Sequence, residues 1–150
     1  MTPQIEVRGL KEIIARMSAF PQQLRTAVRK TMDAGLLHVQ GSVPPYPQGP
    51  EGVNTSGRTG HLGRTLGVGM SGGKIGKAAI HEIKMGAGGF AEGRFGTNLD
   101  YAEKVIGETQ QSPWSGYWWR LSKVAEIAKP GVQRLFNVMV EELAKWLDRK

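Results

Sequence analysis

The chain has 150 residues, 39% of them hydrophobic, with 20 basic and 13 acidic side chains, a formal charge of +7 and no cysteine. That length suits a single domain over residues 1–150, with a core large enough to fold without a disulfide or a structural metal. The missing cysteine excludes disulfides, thiolate zinc centres and cysteine nucleophiles.

The opening MTPQIEVRGLKEII lacks the basic-then-apolar pattern of a secretory leader. No apolar run approaches the roughly 18 residues of a membrane span. A soluble chain made in the cytoplasm is therefore expected. Its positive charge favours an acidic or nucleic-acid neighbour. Between Ala34 and Ile80 the basic residues Arg58, Arg64, Lys74 and Lys77 face one acid, Glu51.

In chain order, Ile5-Glu6-Val7 reads as a short strand before Gly9. Leu10, Ile13, Ile14, Met17 and Phe20 follow helical spacing. Pro21 opens a second helix at its first turn or kinks a continuing one. Leu24, Val28, Met32, Leu36 and Val39 carry the apolar face on to a stop at Gly41, and such a stripe buries itself in a core. Residues 41–61, GSVPPYPQGPEGVNTSGRTGH, have no periodicity; four prolines and five glycines make them a long loop. Loops of that length within a compact domain are uncommon and usually functional. Residues 42–57 are expected to project from the body.

A β region is predicted next. Gly63 to Met70 alternates small residues with Leu66 and Val68, and Ser71-Gly-Gly-Lys74 is a turn. Lys77 to Met85 reads as a strand, with a short helix as the rival, and Gly86-Ala-Gly-Gly89 turns the chain. Ala91 to Asn98 is a further strand with Phe95 pointing inward; glycines in these strands mark bulges or close backbone approach. Tyr101 to Ile106 is a short apolar–polar element, followed by a loop to Gly116 and the aromatic cluster Trp114, Tyr117, Trp118 and Trp119. Ser122 caps a short helix over Lys123 to Ala128, which Pro130 ends before opening the next one. Val132, Leu135, Phe136, Met139, Val140, Leu143, Trp146 and Leu147 form an amphipathic helix to the C-terminus.

Catalytic patterns fail on spacing. Gly72-Gly-Lys-Ile-Gly-Lys-Ala78 lacks the hydroxyl and the first glycine of a nucleotide phosphate loop. His38, His61 and His81 are scattered, with no carboxylate at metal-ligand spacing. There is no G-x-S-x-G elbow, and Glu141-Glu142 lies on a solvated helix face. No enzyme activity, metal or cofactor is expected. Nucleic-acid contact stays open: Arg58, Arg64, Lys74 and Lys77 could meet phosphates, and aromatics could stack on bases. The dense tryptophans fit a core or subunit interface better.

Three segments carry a family resemblance. Arg58-Thr-Gly-His-Leu-Gly-Arg-Thr65 resembles the R-T-G-x-L-x-R-[ST] stretch of small neck proteins of long-tailed bacteriophages: the head–tail joining or tail-completion proteins, often described as minor tail proteins. In that family the motif follows a long helix and a Pro-rich loop, the place of Val43-Pro-Pro-Tyr-Pro47 here. Phe95-Gly-Thr-Asn-Leu-Asp-Tyr-Ala-Glu-Lys-Val105 is similar to the family's G-T-x-x-x-Y-A-x-x-V segment. Trp118-Trp119-Arg-Leu-Ser122 before two helices looks like one branch of it. The resemblance runs in order over roughly residues 5 to 149. It departs at Val105-Ile-Gly-Glu-Thr109, where the family often has Val-Glu-Phe-Gly-Thr, and in the glycine-rich Gly67 to Gly76.

The resemblance implies an α+β domain: a small antiparallel sheet packed by a long N-terminal helical segment and a C-terminal amphipathic helix. It implies a non-enzymatic virion protein of siphovirus-like particles, assembled in the host cytoplasm into a homo-oligomeric ring, typically six-fold. The ring's partners are the head connector or stopper and the tail tube or terminator, with no membrane or small-molecule substrate. On this reading Pro44, Pro45, Tyr46, Pro47, Arg58, Arg64, Tyr101, Trp114, Trp118 and Trp119 meet subunits or partners. Arg58, Arg64, Lys74 and Lys77 are the residues that could face passing genomic DNA. The rivals are a tail terminator or head-closure protein and, in another class, a basic nucleic-acid-binding module.

Overall fold

The computed structural model describes residues 4–7, 19–44, 61–66, 79–86, 91–111 and 118–150. In chain order its elements are β1 (Gln4–Val7), α1 (Pro21–Gly41), α2 (His61–Leu66), β2 (Ala79–Met85), β3 (Ala91–Thr97), α3 (Ala102–Ile106) and α4 (Leu121–Leu147). The fold is α+β, with a three-stranded antiparallel sheet of order β1-β3-β2 packed by helices.

Pro21 stands at the first turn of α1, where its missing N–H costs nothing. Leu24, Val28, Met32, Leu36 and Val39 are all buried, as their spacing predicts. Gly41 is the last helical residue, and Ser42 closes the helix in an ordinary right-handed conformation. The Ser42 hydroxyl and backbone N–H both donate to the His38 carbonyl, at 2.9 and 3.1 Å. The following loop does not leave the body at residue 42, because Val43 is buried in the core; residues 45–57 lie outside the described part. The helical spacing read over Leu10 to Met17 also falls outside it.

In the sheet, Ile5 and His81 flank Phe95, and Val7 and Ile83 flank Gly93. Gly93 is where α1 comes down on the sheet: a Cβ there would sit 2.7 Å from Met32 Cε and 3.3 Å from Leu36 Cδ2. The bare backbone lets the helix approach. His81 Nε2 lies 3.7 Å from Asp33 Oδ1, linking β2 to α1. In the register Arg94 stands between Glu6 and Glu82, and its side chain pairs with Glu92 on its own strand.

Two expectations are corrected. The stretch from Gly63 was read as a strand, yet His61–Leu66 is helical. Leu62 and Leu66, four residues apart, share a buried face, and the Thr65 hydroxyl donates to the Leu62 carbonyl at 2.8 Å. Burial of that leucine pair outweighs the poor helix propensity of Gly63. Pro130 was expected to separate two helices, with Ser122 capping the first. The structure instead has one helix through Pro130, preceded by Arg120 in extended backbone with no side-chain cap bond. Pro130 is exposed, so water can satisfy the Glu126 carbonyl that lacks its helical donor, while packing on both sides of the break keeps the axis continuous.

Helices α1 and α4 run antiparallel. Phe20 meets Trp146 edge-on at 4.7 Å between ring centroids, and Lys150 Nζ lies 5.5 Å from the Trp146 ring. At the other end the His38 imidazole lies so close to Gly131 that a Cβ there would overlap it. Val124, Ala128, Val132, Phe136, Met139 and Leu143 of α4 join the α1 stripe, Phe95, and Ala102, Val105 and Ile106 of α3 in one core.

Candidate assembly surface

The described residues with the sharpest sequence signals converge around α3 and the start of α4. Thr97 ends β3 fully buried, and its Oγ1 accepts the Leu99 N–H at 3.3 Å. The Leu99 carbonyl accepts the Ala102 N–H at 2.9 Å, starting α3, and Tyr101 is left 41% exposed. The GT-x-x-x-YA segment therefore forms the strand end, a turn and a short helix that buries Ala102 while turning the tyrosine ring outward.

The turn after α3 is tied by Glu103. Its Oε1 accepts the backbone N–H of Thr109 at 3.2 Å and the Thr109 hydroxyl at 3.0 Å. Its carboxylate folds across Gly107, where a Cβ would overlap both that carboxylate and the Glu103 carbonyl. Glycine is required here for space, since its φ is −82°.

Gln110 joins this turn to the aromatic pair. Its Nε2 donates to the carbonyls of Val105 at 2.7 Å, Trp118 at 3.0 Å and Trp119 at 3.3 Å. Its Oε1 accepts Arg120 Nε at 3.3 Å, and Arg120 Nη1 is 3.8 Å from Glu108 Oε2. The two indoles stack at 6.0 Å with a 45° tilt, both partly buried against the core. One amide side chain thus holds the chain entering α4 to the turn leaving α3.

Of the residues expected at an interface, Tyr101, Trp118 and Trp119 fall in this one region, with the tryptophans divided between core and surface. Pro44 is half-buried just after Val43. Arg64 belongs to α2, so the second arginine of the TSGRTGHLGRT stretch is carried by a helix rather than by a strand entrance. Pro45, Tyr46, Pro47, Arg58, Lys74, Lys77 and Trp114 lie outside the described residues. Glu103, Gly107 and Gln110 escaped the sequence reading, because one glutamine in a loop has no periodicity to mark it.

A second feature lies between the long helices. A groove of about 560 Å3 is lined by Ala27, Lys30 and Ala34 of α1 and by Leu135, Val138 and Glu142 of α4. Among the described residues, no group of three or more His, Cys, Asp or Glu side chains converges as a metal site. No described helix is long and apolar enough to cross a membrane. Comparison with known protein families, curated proteins and solved structures finds no match to this chain.

Proposed function

We propose that this protein is a structural subunit of a bacteriophage neck, a tail-completion protein that forms a ring joining the head connector to the tail. The observation that carries the reading is the ordered run of three segments, Arg58–Thr65, Phe95–Val105 and Trp118–Ser122, each resembling its counterpart in that family. The α+β architecture is compatible with it. In a ring each copy offers one surface to a different surface of the next, a heterologous contact that closes on itself. The proline-rich segment from Pro44 to Pro47 reaches a neighbour or an adjoining ring, and Tyr101, Trp118 and Trp119 supply aromatic area at low entropic cost. Arg58 and Arg64 pair with carboxylates across the joint or line the DNA passage.

The deciding experiment is electron microscopy of particles lacking this protein. Free tails beside DNA-filled heads are expected. Abnormally long tails would instead mean a terminator and overturn the joining role. Deleting residues 44–55 should leave a folded protein that no longer joins heads to tails. Replacing Arg58 and Arg64 with alanine should reduce tail attachment. A monomer that binds DNA with a steep loss of affinity as salt rises would favour the free nucleic-acid-binding reading that the charge of +7 also allows.

A further inference from the structure

The three-stranded sheet ends in two different strands. β3 is central, and β1 and β2 form its edges, each antiparallel to β3 and so parallel to each other. Among the described residues no strand pairs with the outer side of either. A strand edge carries a row of backbone N–H and C=O groups that recruits another strand, and folds often blunt it with a proline, a bulge or a short length. β2 has none of these devices. It runs seven residues, Ala79–Met85, against β3 in unbroken register and without proline. Its odd-numbered positions stand beside Thr97, Phe95, Gly93 and Ala91, all buried, and Ile83 and Met85 pack against the core. Its exposed charges, Glu82 and Lys84, occupy the alternate positions and are in no ion pair among the described residues.

We infer that β2 of one copy pairs with β1 of the next, so that the sheet runs on from subunit to subunit. The inference rests on the ring-forming reading above and names the contact that closes the ring. A head-to-tail contact joins two different surfaces, which an antiparallel pair of β2 strands would not. Rotation about an axis running broadly along the strands keeps their direction, so β1 joins β2 in parallel. Residue type then selects the register. Positions alternate between the two faces of a sheet, so the buried face continues across the joint only if Ile5 and Val7 stand beside odd-numbered residues of β2. Three registers along β2 meet that condition. With Glu6 beside Ile80, a carboxylate meets a buried apolar side chain. With Glu6 beside Glu82, like charges stand directly opposite each other. With Glu6 beside Lys84, opposite charges meet, while Ile5 stands beside Ile83 and Val7 beside Met85. The row across two copies then reads Glu92, Lys84, Glu6, Arg94, Glu82, alternating in sign at every strand. This register also staggers successive copies by two residues, and a sheet that closes on itself needs a stagger.

The test uses the full-length protein and its lack of cysteine. Within one copy Glu6 and Lys84 lie on the strands either side of β3, which at about 4.8 Å per strand sets them about 10 Å apart or more. A disulfide needs Cα atoms within about 7 Å, so a Glu6→Cys, Lys84→Cys protein can link only between copies. Four residues of pairing make a weak contact, which oxidation traps. Mild oxidation should give a ladder of dimers, trimers and larger species, while each single variant stays uncrosslinked. A Glu6→Cys, Glu82→Cys protein should crosslink about tenfold more slowly, since its sulfurs are set two residues apart. By sedimentation, Glu6→Lys and Lys84→Glu should each weaken association about two- to fivefold, and the double variant should restore it. No ladder at any protein concentration, or equal rates with cysteine at 82 and at 84, overturns the proposal. So does a disulfide between Glu82→Cys and Lys84→Cys chains, which identifies a two-fold pair of β2 strands. Electron microscopy of particles lacking the protein decides the joining role separately. A missing ladder beside free tails and filled heads refutes this contact and leaves that role standing; a ladder beside normal particles does the reverse.

Discussion

Gly35 and Gly131 both sit where α1 and α4 pass each other, yet replacing each with alanine should have opposite consequences. A Cβ on Gly35 would lie 3.6 Å from Val132 Cγ1, an ordinary van der Waals distance with nothing closer. Alanine therefore gains the helix propensity that glycine lacks, about 0.8–1.0 kcal/mol. It also adds a buried methyl worth at most about 0.8 kcal/mol. Gly35→Ala should stabilise the protein by about 1–1.5 kcal/mol, which at about 2–4 °C per kcal/mol for a chain of this size raises Tm by roughly 2–6 °C. At Gly131 the same methyl overlaps the His38 imidazole. The propensity gain is then offset by expulsion of the ring, and Gly131→Ala should be neutral to destabilising by about 1–2 kcal/mol. Removing the ring should restore the gain, so Gly131→Ala in a His38→Ala background should be more stable than His38→Ala alone. Urea denaturation of the wild type and the four variants, followed by circular dichroism, measures both effects. Loss of more than about 1 kcal/mol in Gly35→Ala would mean that the helices pass closer than described and would refute the spacing argument.

Other expectations follow from the core and the α3 turn. Leu36→Ala, at a side chain with no exposure, should cost about 2–5 kcal/mol, whereas Leu37→Ala, 54% exposed, should stay within about 0.5 kcal/mol; chemical denaturation distinguishes them. Gly107→Ala should cost about 2 kcal/mol or more, because part of the overlap is with the Glu103 backbone carbonyl, which no rotamer change can relieve. Glu103→Ala should rescue only part of that loss. Gln110→Ala leaves the carbonyls of Val105, Trp118 and Trp119 without its amide and should cost about 1–3 kcal/mol. A red shift of tryptophan emission should accompany it, and unchanged emission with unchanged stability would show that Gln110 does not hold the indole pair.

The three strands fall where the sequence placed them, and the long helices were legible because their signals are repeated. Leu24, Val28, Met32, Leu36 and Val39 state the same face five times, and one aberrant residue cannot alter the pattern. The errors came where a few residues carried the signal. Leu62 and Leu66 are four apart, a helical spacing, but Leu66 and Val68 also alternate, and the surrounding glycines favoured an extended reading. Pro130 was given its intrinsic meaning as a helix breaker, and only the tertiary contacts of α4 with α1 show why the helix continues. In the candidate surface, the tryptophans announced themselves by density. Gln110 and Glu103 could not, since their roles depend on carbonyls and hydroxyls brought together by the turn. The outer groove was hidden for a different reason: alanines and a few larger apolar residues among glutamines, threonines and charged residues look like any solvated helix face until the neighbouring helix is in place.

The Pro130–Gly131 pair inside α4 has a consequence for how the molecule comes together and opens. These two residues make the helix about 4 kcal/mol less favourable than alanines would at the same positions. Isolated helices shorter than about 12–15 residues are marginal in water, and the stretch before the proline, Leu121–Lys129, is shorter than that. In the unfolded chain, helical structure around 121–147 therefore divides into two arms. In the folded protein α1 packs along the break, with His38 against Gly131 and Gly35 against Val132. One arm, Leu121–Lys129, is anchored through the Trp118–Trp119 segment and Gln110, and the other, Gly131–Leu147, through α1 and the Phe20–Trp146 clasp. Amide exchange across α4 should accordingly report two cooperative units meeting at the proline, each opening with the neighbours that hold it.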